Sequence, residues 1–151
     1  MTEPEHNPEE ESRQRFVLAL FIIHPSVDPD DITAALGLQP TIVHRFGAPR
    51  KTPYGHRLPG KYPDTRWRHR IRCYTDDQHF SEQLSAFVDR LRHKKDYFTY
   101  ITSTGGHVEI ILQFLGDGYY GDALSRETLA NMAELGVKFG IECFDVPQND
   151  F

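Results

Sequence analysis

Apolar residues fall along the chain in short runs whose spacing changes from segment to segment. Phe16 to Ile23 (FVLALFII) is continuous and bounded by Pro25, which predicts a buried central strand rather than a helix. Thr65 to Tyr74 alternates, with Trp67, His69, Ile71 and Cys73 on one face and Arg66, Arg68, Arg70 and Arg72 on the other. That is the period of a half-buried strand with one core face and one cationic face. Phe80, Leu84, Phe87, Val88 and Leu91 recur at helical spacing and Lys94 and Lys95 suit a helix's negative end, so a helix of four or more turns is expected before Gly105. Val108 to Leu115 (VEIILQFL) predicts another strand. A short helix should open at Ser125, bury Leu129, Met132 and Leu135 and stop at Gly136, and Lys138 to Val146 should form the last strand.

Capping chemistry sharpens the first half. In Asp28-Pro29-Asp30-Asp31-Ile32 an aspartate can accept from orphan helix N–H groups and a proline presets the first turn, while Gly37 offers a left-handed stop about two turns later. From Gln39 to Pro63 repeated Pro and Gly confine regular structure to a short strand near Ile42 to Phe46, and the remainder is expected to be a long surface loop. The resulting order, β-α-β-β-α-β-α-β, predicts an α+β domain with a mostly antiparallel sheet and helices on one face, as in ferredoxin-like folds. Residues 1–14, with Glu3, Glu5, Glu9, Glu10 and Glu11, are expected to be a disordered acidic tail, and 15–151 a single domain.

At 38% hydrophobic and 26% charged residues, composition favours an ordinary globular protein over a disordered or fibrous one. Cys73 and Cys143 are too few and too far apart for a disulfide framework or a CxxC site and are expected to be buried. The N-terminus lacks the basic and apolar regions of a signal peptide, and no apolar run approaches the roughly 20 residues that span a bilayer. Cytoplasmic residence and no membrane contact are the expectation.

Charge changes the picture most between His44 and Arg72, where nine Lys or Arg stand against one acid, Asp64, in a chain whose formal net charge is −5. Clustered cations attract phosphate, nucleic acid or acidic protein surfaces. The competing explanation is that the strand arginines pair with acids on neighbouring elements. Loop aromatics are sparse and no nucleic-acid-binding motif is present, which argues against specific nucleic-acid readout. Eight histidines lack metal-ligand spacing. Ser103-Thr104-Gly105-Gly106-His107 resembles no nucleophile elbow and reads as a tight turn, and no cofactor signature appears.

The landmarks from Asp28 to Ile32, Leu36-Gly37-Leu38-Gln39-Pro40-Thr41, His44-Arg45-Phe46-Gly47, Pro49-Arg50, Trp67 at a strand start and Leu124-Ser125 to Gly136-Val137 together resemble the family called domain of unknown function 4279. That resemblance implies a fold over nearly the whole chain after the tail. The family has no assigned activity, and a subset is similar to immunity proteins that neutralise bacterial toxins. The long basic segment between Gly47 and Trp67 departs from the family pattern.

These observations point to a non-enzymatic binding domain in which His44, Arg45, Arg50, Lys51, Arg66, Arg68, Arg70 and Arg72 engage an acidic protein or a small anionic ligand, an immunity-like role being one form. The alternative is a small enzyme or phosphate-ligand domain in which Arg50, Arg66 and Arg68 clamp an anion while His44 or His69 moves a proton. A third possibility is that the arginine ladder is a homodimer surface.

Overall fold

Strand β1, Arg15–His24, lies at the centre of a five-stranded sheet of order β2-β5-β1-β6-β7. The computed structural model describes residues 15–74, 79–116 and 121–145, so the expected acidic tail, part of the glycine-rich loop after β6, and Val146 lie outside the described residues. The other strands of this sheet are β2 (Ile42–His44), β5 (Thr65–Tyr74), β6 (His107–Leu115) and β7 (Lys138–Phe144). β1 pairs antiparallel with β5 and β6, and β2 with β5, whereas β7 runs parallel to β6. The fold is therefore α+β with a mixed sheet.

Helix α1, Pro29–Leu36, starts as expected: the Asp28 carboxylate accepts from Asp30 N at 2.8 Å, and the helix stops at Gly37. The predicted long helix is divided into α2 (Phe80–Leu91), a 3₁₀ turn (Arg92–Lys94) and α3 (Lys95–Ser103). α4, Arg126–Leu135, is capped by the Ser125 hydroxyl accepting from Thr128 N at 3.0 Å. Its buried face differs from the expected one at a single position. Met132 and Leu135 turn inward as expected, but Leu129 is 48% exposed and Thr128 and Asn131 are buried beside them, because a stripe through 128, 131/132 and 135 is the one that α4 turns to the core.

Two short strands, β3 (Pro49–Lys51) and β4 (Arg57–Lys61), form a separate antiparallel hairpin where a loop was expected. The expected element order thus gains two strands. At the hairpin tip Gly55 has φ 84° and donates its N–H to Thr52 O at 2.9 Å, so the glycine that looked like a breaker makes the turn.

The helices cover one sheet face. Phe16, Leu18, Leu20 and Ile22 from β1, Trp67 and Cys73 from β5, and Val108, Ile110 and Leu112 from β6 meet Ile32, Leu84, Phe87, Phe98 and Ile101 in one core. Trp67 is fully buried and donates Nε1–H to Thr33 Oγ1 at 3.0 Å, which ties β5 to α1. Cys73 is buried as expected, but Cys143 on the edge strand is exposed.

A histidine that carries no sequence signal holds the turn regions together. His24 is buried at the end of β1; its Nδ1 accepts from Ser26 N (3.0 Å) and Val27 N (2.9 Å). The proton therefore sits on Nε2, 2.8 Å from Thr104 Oγ1, whose own hydroxyl donates to Tyr100 O. Gly106 passes so close that a Cβ would meet Ile23 O at 2.6 Å and His24 Cδ2 at 2.9 Å. The Ser103 to His107 segment is thus a helix stop fastened to β1.

Truncation of Trp67 to Ala should cost about 3 to 5 kcal/mol in urea denaturation; a cost below about 1 kcal/mol would contradict its place in the core. Burial lowers the His24 pKa below the ordinary 6.5. Native His24 consequently binds fewer protons than the unfolded chain, so its stabilisation is complete above 6.5 and is lost as pH falls toward the native pKa. His24→Asn, which keeps an acceptor for the two amides, should show a smaller drop in melting temperature between about pH 7.5 and about pH 5.5 than the parent. Equal drops would show that His24 does not titrate as inferred.

Candidate anion-binding site

The sheet face away from the helices carries the arginine ladder, because the two-residue period of β5 sends Arg66, Arg68, Arg70 and Arg72 to the side opposite Trp67. Register places Ile23, Phe21, Ala19 and Val17 beside them on β1. The four cations nonetheless have different surroundings. Arg66 Nε bonds Asp64 Oδ1 at 3.0 Å. The Arg68 guanidinium lies 4.4 Å from the Phe21 ring centroid, a cation–π contact. Arg72 is exposed toward the far end of the strand.

Arg70 is the most constrained. Its Nη2 donates to Gln113 Oε1 on β6 at 3.3 Å, so the side chain crosses β1. Buried Gln113 passes the polarity on through Nε2 to Glu142 Oε2 on β7 at 2.9 Å. Arg70 Nε is buried without a partner, and burial, reinforced by Arg68 and Arg72 and opposed by Glu142, lowers the Arg70 pKa. Arg70 therefore belongs to a polar line across four strands and is a structural cation.

Arg45 is likewise committed elsewhere. It bonds Asp28 at 2.5 Å and Asp30 at 3.0 Å, closing the acidic N-terminal turn of α1, where negative charge and the helix dipole already attract each other. The Asp28 pKa is lowered by its bond from Asp30 N and then by Arg45. Lys51 lies on β3, where Tyr62 Oη accepts from its N–H at 3.1 Å and donates to its carbonyl at 3.2 Å. His69, the other histidine considered for proton transfer, faces the helices, its Nδ1 2.6 Å from Gln39 O.

The remaining residues converge where the hairpin folds beside the sheet edge. Gly47 N donates to Tyr62 O at 2.9 Å and Tyr62 N to Ala48 O at 3.0 Å, fixing the hairpin base against the end of β2. Tyr62 then stacks on His44 with centroids 4.2 Å apart and planes 7° from parallel. Around this stack opens a cleft of about 430 Å³, lined by His44, Arg50, Lys61, Tyr62, Asp64 and Arg66. A smaller adjoining cleft of about 170 Å³ shares His44 and Arg66 and reaches Ile42, Phe21 and Arg68. Four cations, Arg50, Lys61, Arg66 and Arg68, thus border two connected clefts with a single carboxylate, Asp64, on Arg66.

The His44 pKa is lowered first by burial, then by Arg66 and Arg50, with Asp64 opposing. At neutral pH His44 is an uncharged imidazole that can donate or accept a hydrogen bond. Among the described residues no three His, Cys, Asp or Glu side chains are grouped as metal ligands, and no helix is long and apolar enough to cross a membrane. Of the expected site residues, His44, Arg50, Arg66 and Arg68 are brought together in these clefts, while Arg45 and Lys51 line another cleft, of about 570 Å³, with His44 and Tyr62. Lys61, Tyr62 and Asp64 join the first four, although the sequence carried them only as members of a basic, Pro-rich stretch.

The family model for the domain of unknown function DUF4279 matches residues 14–145. The chain belongs to this family. No curated protein and no solved structure matches it. The DUF4279 match runs from the start of β1 to just past β7, so both the ladder and the hairpin cleft lie within the family domain.

Removing the Arg66 charge should raise the His44 pKa, since that charge is one of the groups holding it down. Histidine NMR titration of Arg66→Gln is expected to move the His44 midpoint upward relative to the parent. An unchanged or lower midpoint would show that the guanidinium does not act on the ring.

Proposed function

We propose that this DUF4279 domain is a non-enzymatic binding module whose cationic sheet edge, centred on His44, Arg50, Lys61, Arg66 and Arg68, engages an acidic protein partner. The observation that carries it is the convergence of these four cations around open clefts with one carboxylate. Exposed Ile42, Val43, Phe46 and Tyr54 stand on β2, on the turn after it and at the hairpin tip, which supports a protein partner over a lone small ion. Protein interfaces combine such apolar and aromatic contacts with charge complementarity. An immunity-like role, neutralising an acidic surface of another protein, is one form of this function.

A second form rests on the neutral His44 beside Arg50 and Arg66, which could orient a small phosphate-bearing ligand and move a proton. The two are separable by titrating the ¹⁵N-labelled protein with an acidic Glu-rich peptide and, separately, with pyrophosphate. An acidic partner predicts that the peptide perturbs residues along both β5 and the hairpin, with affinity falling steeply as salt rises. Arg50→Glu together with Arg68→Glu, two residues in no ion pair among those described, should abolish this response with folding intact, whereas Arg45→Gln should leave it nearly unchanged. Perturbation by pyrophosphate alone, confined to the His44 cleft, would favour the small-ligand form; no response to either probe would refute both.

A further inference from the structure

The outer edge of β7 is a second surface, remote in the sheet order from the cationic edge. β7 is the last strand of the sheet, and among the described residues no strand pairs with its outer side. It is seven residues long, against three for β2 at the opposite edge. Phe144 O accepts from Gly116 N at 2.8 Å, so the even-numbered residues of β7 aim their backbone groups at β6. Alternation then turns the N–H and C=O of Phe139, Ile141 and Cys143 outward. Side chains sort in the same way: Lys138, Gly140 and Glu142 share the sheet face of the arginine ladder, while Phe139, Ile141 and Cys143 share the helix-covered face. Ile141 is 61% exposed.

This pattern is self-complementary about Gly140. When a second β7 lies antiparallel with Gly140 opposite Gly140, Lys138 of each copy faces Glu142 of the other, and Phe139 faces Ile141. The outward backbone groups of Phe139 and Ile141 then fall opposite one another as hydrogen-bonded pairs. The Lys138–Glu142 pairs occupy the non-hydrogen-bonded positions, where cross-strand side chains come closest. The central Gly140 pair brings no side chains to that close approach. Slipping the register by two residues places Lys138 opposite Phe144 and Glu142 opposite Gly140, so both charge pairs are lost. A lone lysine on an edge strand repels further strands; here Glu142 supplies its counter-charge at the symmetric position.

We propose that β7 is a homodimer edge at which two copies of this chain pair antiparallel about Gly140 into a continuous ten-stranded sheet. The partner is a second copy because the charges match in only this self-paired register, the isologous arrangement that a two-fold requires. Both arginine ladders then lie on the same side of the joined sheet.

The test is sedimentation equilibrium of the full chain across a wide concentration range. The parent should dimerise. Lys138→Glu, which puts like charges opposite at two symmetric positions, should weaken dimerisation roughly tenfold or more. The double charge swap Lys138→Glu with Glu142→Lys should restore it, and Ile141→Lys should abolish it while circular dichroism remains that of the parent. Because Glu142 also binds Gln113, loss of dimer in the swap counts against the proposal only if its melting temperature matches that of Lys138→Glu; if the swap melts lower, Ile141→Pro, which removes an outward N–H without touching the β6 ladder, serves instead and must be monomeric. A monomer at every concentration overturns the proposal and leaves the edge to an extended segment of another protein. A dimer unaffected by Lys138→Glu and Ile141→Lys overturns it in favour of another interface.

Discussion

Strand β1 must be covered on both faces, because it lies mid-sheet and alternates Phe16, Leu18, Leu20 and Ile22 with Val17, Ala19, Phe21 and Ile23. Helices cover the first set. On the second, Val17, Ala19 and neighbouring Ile111 are buried on a face whose neighbouring side chains are charged. Long side chains achieve this by lying flat, their stems on apolar surface and their heads held by polar partners. Arg70 crosses β1 to Gln113, and Gln113 reaches Glu142, so part of the apolar floor sits under a hydrogen-bonded line. That line works only if its members keep their partners, since a buried charge stripped of its counterpart is costly.

This constraint divides the arginine ladder by role. Sequence periodicity alone makes Arg66, Arg68, Arg70 and Arg72 equivalent, but Ala19 beside Arg70 leaves room for it to fold inward, whereas Phe21 beside Arg68 presents a ring on which its guanidinium rests. The residue on the next strand decides which cation is hydrogen-bonded into the sheet and which rests on a ring. Of the two explanations weighed for the basic cluster, internal pairing therefore applies to some of its members, and partner binding is proposed for others. Arg45 and Arg70 are paired within the fold, and Arg50 and Arg68 are in no ion pair among those described.

Strong local signals made much of the fold legible. The Asp28 cap, the Gly37 and Gly136 stops, and the alternation through β5 each depend on neighbours a few residues away, and each appears where expected. The misses have non-local causes. The β3–β4 hairpin was hidden because its Pro and Gly residues weaken strand propensity, while its pairing is fixed by Tyr62 reaching back to Lys51 and Ala48. On α4 Met132 and Leu135 are buried as expected, but Leu129 is apolar and yet points away from the sheet, and buried Thr128 satisfies its hydroxyl with Ser125 at 2.9 Å. His24 was missed because a histidine that accepts from two backbone amides has no spacing rule. The parallel sense of β7 was likewise invisible, since period-2 patterning is the same for parallel and antiparallel strands.

The two edges of the sheet pose opposite problems of association. β2 is short and flanked by cations, so a second copy brought to that edge would meet like charge, which an acidic partner would not; the hairpin beside it limits strand access for either. β7 is longer and carries one Lys and one Glu at equal distances from Gly140, a balance that repels no copy of itself. One sheet can in this way keep its two edges for different partners, with charge deciding which edge accepts its own kind. The polar line through Arg70, Gln113 and Glu142 runs between them. Because Glu142 is both the terminus of that line and the charge that would face a second copy, pairing at β7 would draw on the same carboxylate that holds Gln113 against Arg70.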